Sequence, residues 1–466
     1  MLRTVASTEK IKKTLPLLLA TSIFMQMLDS TILNTSLTAI ARDLGESPLS
    51  MHNAIISYVL TLALCMPASG FLADKFGTKR VYIFAIATFC VGSLLCALAQ
   101  SLEFLVFARV VQGVGGSLMT PVGRLALIKT FDKTEILKAM NFAIIPALIG
   151  PVLGPLVGGY LVDFFSWHWI FLINVPMGIL GMILGLKFMP NYKADETDFD
   201  FSGFAIFAVA SLALSIALEL LGKSTKMTIV LAIFALGFVM LYLYYRHAKR
   251  IKNPLFPLNL FQVRTFRVGI LGNLATRLGI SSIPLLIPLL IQIAYGQSAV
   301  ISGWIVAPMA LTSMLGKSVV QKILHFFGYR STLMANTMII GVIICCLAIP
   351  GIHSNIYWFI PLLAVLGFFN SIQFTSMNTI SIADLRDAQT SPGNSLISVN
   401  QQLAIGFGIA FGLLVLKLFQ QDIIGAGEEM HLAFRKTFLV MGCLTILSGF
   451  VFRRLHFRDG SNMSGD

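Results

Sequence analysis

Leu15-Pro-Leu-Leu-Leu-Ala20-Thr-Ser-Ile-Phe-Met-Gln-Met-Leu-Asp29-Ser-Thr-Ile-Leu-Asn34 is a run of bilayer-spanning length with one carboxylate set deep inside it. A helix of about 20 residues rising ~1.5 Å each crosses a hydrocarbon layer of ~30 Å. Asp29 is the only acid buried deep in any apolar span of the chain. A carboxylate there costs roughly 2.5 kcal/mol or more unless it faces water or a partner. It also escapes that cost by taking up a proton, because burial disfavours the charged form. A membrane acid that gains and loses a proton is the minimum part of a proton-coupled transporter.

The same pattern continues along all 466 residues, of which 56% are hydrophobic and only 12% charged. Soluble domains carry about 25% charged residues. With a mean hydropathy of +0.83, the composition indicates an all-α polytopic membrane protein; a membrane β-barrel shows weak ten-residue alternation instead. Apolar spans fall at 14–40, 51–73, 81–99, 103–129, 139–164, 170–189, 201–221, 228–246, 267–294, 300–322, 331–350, 356–384, 393–417 and 434–452. The first follows Lys10, Lys12 and Lys13 without a cleavage pattern, so it is expected to stay as a membrane helix.

A net charge of +13 would suit a nucleic-acid binder, but its distribution does not. With the N-terminus placed inside, roughly 24 Lys and Arg fall on the cytoplasmic side and about 6 opposite, the positive-inside asymmetry. Arg109, Arg124, Arg277 and Lys317 remain within spans. The expected location is therefore a bacterial cytoplasmic (inner) membrane, crossed many times, with both termini in the cytoplasm and no nucleic-acid partner. The tryptophans Trp167, Trp169, Trp304 and Trp358 read as an outer aromatic belt. The 6 cysteines lie in apolar spans and read as small buried hydrophobes; neither they nor the 7 histidines show metal-site spacing. No phosphate-binding loop or catalytic set is present, so an enzyme, and ATP hydrolysis in particular, is not expected.

About fourteen helices divide as six, two and six. The expected domains are an N-terminal six-helix bundle over 1–190, a linker with two extra helices over 191–266, and a C-terminal six-helix bundle over 267–466. Phe76-Gly77-Thr78-Lys79-Arg80 after helix 2 is echoed by Phe327-Gly328-Tyr329-Arg330 after helix 10. The echo fits two pseudo-symmetric repeats.

Four stretches carry a family resemblance: Leu28-Asp29-Ser30-Thr31-Ile32-Leu33-Asn34; Gly70-Phe-Leu-Ala-Asp74-Lys75-Phe-Gly77-Thr78-Lys79-Arg80; Arg109-Val-Val-Gln112-Gly113-Val-Gly115-Gly116; and Gly150-Pro151-Val-Leu-Gly154-Pro155-Leu-Val-Gly158-Gly159. Trp167-His-Trp-Ile-Phe-Leu-Ile-Asn-Val-Pro176 is a further hallmark. In this order they resemble the signatures of the major facilitator superfamily and, within it, the 14-helix drug:proton antiporters. Thr276-Arg277-Leu-Gly279 and Met377-Asn-Thr-Ile extend the likeness into the second half and towards the MdtD-type group of multidrug transporters. Thr78 stands where that family usually has a basic residue.

The residues assign roles under this reading. Arg109 and Asp29 lie at depths of roughly 9 and 14 Å, within reach of an arginine side chain, so they are expected to pair and to couple protons. Gly70, Asp74, Lys75, Gly77, Lys79 and Arg80 form a candidate conformational latch. Its acid would meet the positive end of helix 13, which the sequence starts near Ser391-Pro392-Gly393; His325 replaces the acid in the second copy. The resemblance implies a latching role for that acid as well. Gly150, Gly154, Gly158 and Gly159, with Pro151 and Pro155, form a small-residue packing face, which the family associates with antiport; Gly406, Gly408 and Gly412 of helix 13 offer a matching face. Arg277 has no acid at its depth, and Gln292, Gln373, Asn378, Asn400, Gln401 and Gln402 could line a substrate path with it.

The expected function is a proton-coupled exporter of small molecules by alternating access, for multidrug or xenobiotic efflux. It would need no cofactor beyond the proton gradient and work as a monomer in the bilayer. The alternative substrate is an organic anion, such as a carboxylate metabolite or a metal chelate, because the buried charge is one acid against two arginines. A channel or non-transporting receptor is the remaining class, and it would have no use for a titratable buried acid beside an antiporter-type motif.

Overall fold

With no water in a bilayer core to satisfy backbone N–H and C=O groups, long apolar runs can only be helices. A computed structural model of the chain describes residues 2–194, 198–221, 226–420 and 427–460. Eleven of its helices are long and apolar enough to cross a membrane. The pair His52–Cys65 and Ala68–Phe76, bent by 58°, adds a twelfth span. Lys133–Phe164 adds another, and the 48-residue helix Ala299–Cys346 is two helices merged across a kink at Gly328. The described residues thus supply fourteen helical segments, at the places the apolar runs indicate.

We number them α1 (Leu2–Ile32), α2 (the bent pair His52–Cys65 and Ala68–Phe76), α3 (Thr78–Ala97), α4 (Leu102–Thr130), α5 (Lys133–Phe164) and α6 (Trp169–Phe188). Then follow α7 (Phe201–Leu220), α8 (Met227–Ala248) and α9 (Arg264–Ala294). The last set is α10 (299–327), α11 (329–346), α12 (Ile356–Ile382), α13 (Asp387–Gln420) and α14 (Glu428–Arg454). The chain forms two compact units, Met1–Phe199 and Asp200–Asp466.

The echoed loops share a backbone device. Gly77 has φ 95° and ψ 141°, and Gly328 has φ 69° and ψ 165°. That region is essentially closed to any residue with a Cβ. Each glycine turns the chain sharply from the second helix of a six-helix set into the third.

In the first unit α1 packs along α5, α2 and α3 flank α4, and α6 lies on α3. In the second, α9 contacts α12, α13 and α14, while α12 pairs with α10 and α11. The extra pair α7 and α8 belongs to this second unit. Phe207 of α7 meets Tyr244 of α8 and Phe256, and this cluster continues through Phe266 of α9 to Leu396, Ile397 and Val399 of α13. Only 17% of the apolar window of α8 is buried, against 67% for the first span, so α8 leaves most of its apolar side chains exposed.

Several local expectations change. Trp167 is 4% exposed and donates its indole N–H to Asp43 at 2.8 Å, so it ties the α5–α6 turn to the short helix Leu37–Leu44; only Trp169, Trp304 and Trp358 are exposed as a belt requires. Of the cysteines, only Cys90 and Cys96 are buried. Helix α13 begins at Asp387 rather than at Ser391, with Pro392 inside it. The proline lies close enough to the start to remove only one backbone bond, which the helix tolerates.

Candidate functional site

The first unit closes around a polar constellation in its apolar interior. Asp29 of α1 and Arg109 of α4 are each 1% exposed, and the guanidinium Nη1 stands 2.7 Å from Asp29 Oδ2. The carboxylate's other oxygen accepts from Gln112 Nε2 at 2.7 Å and from Asn174 Nδ2 at 3.2 Å. Gln112 and Asn174 both donate to Ser93 Oγ of α3, at 2.7 and 3.2 Å. Arg109 also gives Nε–H to the Ala54 carbonyl at 3.1 Å and Nη1–H to Gln112 Oε1 at 2.6 Å, and lies 4.1 Å over the Tyr58 ring. Helices α1, α2, α3, α4 and α6 therefore all contribute. Tyr58 Oη and Asn174 Oδ1 are buried without a hydrogen-bond partner among the described residues.

The expected pair Asp29–Arg109 is thus brought together. Gln112, Asn174, Ser93 and Tyr58 were not singled out for it. Gln112 is three residues from Arg109 and so on the same helical face, which is a usable signal. Asn174 lies in the Trp167–Pro176 hallmark, but only the fold shows that it reaches Asp29.

The glycine face of α5 packs on α1, the helix that carries Asp29. A Cβ added to Gly150 would stand 2.9 Å from the Met27 Cβ, one on Gly154 2.9 Å from the Thr31 Cβ, and one on Gly158 2.5 Å from the Ile32 carbonyl oxygen. Thr35 Oγ1 donates to the Pro155 carbonyl at 3.5 Å; Gly159 is buried and Pro151 half-buried. In the second unit Gly408 and Gly412 of α13 press on Arg277, Ser281 and Ser282 of α9 in the same manner. The two glycine stripes serve the same helix pairing, one in each unit. Small-residue spacing identifies a close-packing face, but it does not say which neighbour fills it.

In the latch candidate, Asp74 pairs with Lys129 of α4 at 3.1 Å, both partly exposed. Lys75 lies 5.4 Å over the Phe71 ring, Lys79 is half-buried, Arg80 is exposed, and Gly70 borders open space. Buried Thr78, in the position of the missing base, does different work. Its N–H donates to Tyr192 O at 3.0 Å and its Oγ1 to Pro190 O at 2.8 Å, while Tyr192 N–H returns a bond to Oγ1 at 2.9 Å. Ala194 N–H reaches Asp74 O at 3.1 Å, and Tyr192 Oη meets Thr130 Oγ1 at 3.1 Å. The segment after α6 is thereby clasped to the α2–α3 turn. A Cβ on Gly77 would collide with Asn191.

The second-half candidates divide. Arg277 Nε donates to Asn273 Oδ1 at 2.7 Å, and its guanidinium lies 5.1 Å over the Phe374 ring. Gln401 Nε2 donates to Asn378 Oδ1 at 2.6 Å, and Asn400 Nδ2 to Ile270 O at 3.2 Å. Gln373 is committed to packing: it accepts from Asn336 at 2.8 Å and donates to Thr337 at 2.7 Å, tying α12 to α11. Gln292 donates to Ser302 at 2.9 Å, linking α9 to α10. Arg124 and Lys317 are exposed.

Fourteen helical segments in two units, with a buried ion pair inside one of them, define a polytopic α-helical membrane protein. The chain belongs to the Major Facilitator Superfamily, whose sequence profile matches residues 19–408 and 269–466. It is 42% identical over 443 residues to a protein of Pectobacterium atrosepticum with the provisional name multidrug resistance protein MdtD, covering 94% of each chain. It is 40% identical over 445 residues to one of Haemophilus influenzae provisionally named transport protein HsrA, covering 95% of this chain and 96% of that one. Among solved structures, a bacterial homologue of the human lysosomal transporter Spinster, inward-facing and unoccupied, superposes with TM-score 0.67 at 13% identity over 97% of both chains. A peptide transporter, POT, gives 0.69 at 15% identity over 97% and 96%. At these identities the structural likeness speaks for the fold alone.

Proposed function

We propose that this transporter is a proton-coupled exporter working by alternating access, with multidrug efflux as its activity, in a bacterial inner membrane with both termini cytoplasmic. The observation that carries this is the fully buried Asp29 carboxylate held by Arg109, Gln112 and Asn174. All three partners donate, which suits an ionised carboxylate. Taking up a proton turns one oxygen into a donor and removes the counter-charge of Arg109. The site has groups suited to both changes. Asn174 Oδ1 is buried without a partner and accepts the new O–H after its amide turns over. Arg109 keeps Ala54 O, Gln112 Oε1 and the Tyr58 ring. Protonation thus loosens α1 from α4, and Arg109 keeps neutral partners while it loses its counter-charge.

The same helix α1 rests on the glycine face of α5, so a change in its hold on α4 is passed to a tightly packed neighbour. The half-exposed Asp74 of the α2–α3 turn serves as the latch, with Lys129 as its partner in this arrangement. No cofactor is needed. Each inward proton supplies about 2.3 kcal/mol per 100 mV of membrane potential, plus any pH gradient.

The test is efflux of a lipophilic drug panel from proteoliposomes with and without an imposed pH gradient. Wild type should accelerate efflux with the gradient. Asp29→Asn should still reconstitute but lose the acceleration. Gradient-driven efflux at the wild-type rate by Asp29→Asn would falsify the coupling role.

A further inference from the structure

Arg277 and Arg109 are both arginines within membrane spans, but only one of them has a counter-charge. Arg109 meets a carboxylate at 2.7 Å. Arg277 has no carboxylate and no backbone carbonyl within bonding distance among the described residues. It lies near the middle of the span Arg264–Ala294, where an unneutralised guanidinium is costly. It is nevertheless held in one orientation. Asn273, buried one turn earlier on α9, takes the Nε–H at 2.7 Å, and Phe374 of α12 covers a face at 5.1 Å. The two outer nitrogens are left together as a planar fork, and the side chain is only partly buried.

We propose that the second unit holds an anion site on Arg277, which takes the carboxylate of an amphipathic organic acid as cargo. This rests on the transporter reading above and names a substrate class for it. Two parallel N–H···O bonds from Nη1 and Nη2 fit a carboxylate and nothing neutral as well. Fixing Nε on Asn273 orients the fork before the ligand arrives, so little is lost in ordering it on binding. Phe374 shields the cation from water and strengthens the charge interaction. The apolar span around the fork suits the hydrocarbon part of the ligand.

The test is equilibrium binding to the full-length protein in lipid nanodiscs without any gradient. The probes are phenylpropanoate, its neutral amide phenylpropanamide and the cation phenylpropylammonium. The acid should bind about tenfold or more tighter than the amide, as charge-assisted paired bonds require, and the cation weakest. Arg277→Gln should bring the acid-to-amide ratio close to one. Arg277→Lys, which keeps the charge and loses the fork, should leave an intermediate ratio and decides the matter if the glutamine variant does not fold. Equal binding of acid and amide by wild type, undetectable acid binding, or an unchanged ratio in the variants overturns the site. The two proposals fail separately. Loss of the acid preference with gradient-driven efflux intact sinks only the anion site. An intact preference with no gradient dependence sinks only the coupling.

Discussion

Arg109→Gln is the perturbation whose outcome the geometry fixes most tightly. Both members of the Asp29–Arg109 pair are 1% exposed, so water cannot take over when one is removed. Breaking a buried pair by deleting one partner costs about 3–5 kcal/mol. Loss of the stacking on Tyr58 adds roughly 0.5–1 kcal/mol. Glutamine can still donate to one of the old acceptors and recovers about 1 kcal/mol. The expected net loss is about 4 kcal/mol, which lowers the unfolding midpoint of a 200-residue unit by roughly 10 °C. Adding Asp29→Asn removes the stranded charge and leaves two neutral amides within reach, so the double variant should regain about 2 kcal/mol. Thermal unfolding of the detergent-purified protein, followed by intrinsic fluorescence with Trp167 buried in the same unit, reads both numbers. If the single variant loses less than about 1 kcal/mol, or if the two changes add, the pair does not hold this unit together and the reasoning is wrong.

Two further outcomes follow from the packing and the caps. Gly158→Leu should lower the thermal midpoint of the purified protein by the equivalent of about 1–3 kcal/mol, because a Cβ there already meets the Ile32 carbonyl at 2.5 Å; an unshifted midpoint would separate the stripe from α1. Asp200 caps α7 by accepting from Gly203 N–H at 2.8 Å, and it also accepts from His247 at 2.8 Å and Leu255 N–H at 3.1 Å. Burial pushes its carboxyl up, but these three donors outweigh burial and hold it below the ordinary carboxylate value. Their stabilisation is therefore present above the unfolded carboxyl pKa of about 3.9 and lost as pH falls through the lower folded value. Asp200→Ala should weaken protection of the Gly203 and Leu255 amides in hydrogen exchange at neutral pH by about 1–2 kcal/mol; equal protection in both proteins would exclude the capping role.

Apolar length alone located the helices, because lipid leaves the backbone no other choice. The Asp29–Arg109 contact was legible too, since chain direction and the rise per residue fix both depths. Lateral position is different. The Gly150–Gly158 stripe marks a close-packing face, but nothing along the chain says that α1 lies against it. For the same reason Trp167 reads as belt until Asp43 is seen beside it, and Gln373 reads as path-lining until Asn336 and Thr337 are found on both its ends. Gln112 could be reached by local spacing from Arg109. Asn174 could not, because its partner is 145 residues away.

The clasp around Thr78 has a consequence for the stretch that leaves α6. Ala194 is bonded to Asp74 in the first unit, and Asp200 is anchored through His247 and Leu255 in the second. Between them Phe199 stacks on Phe71 at 5.0 Å, a further hold on the first unit. The exit from α6 is thereby a strap across the α2–α3 turn, and the bend at Gly77 and the strap stiffen each other.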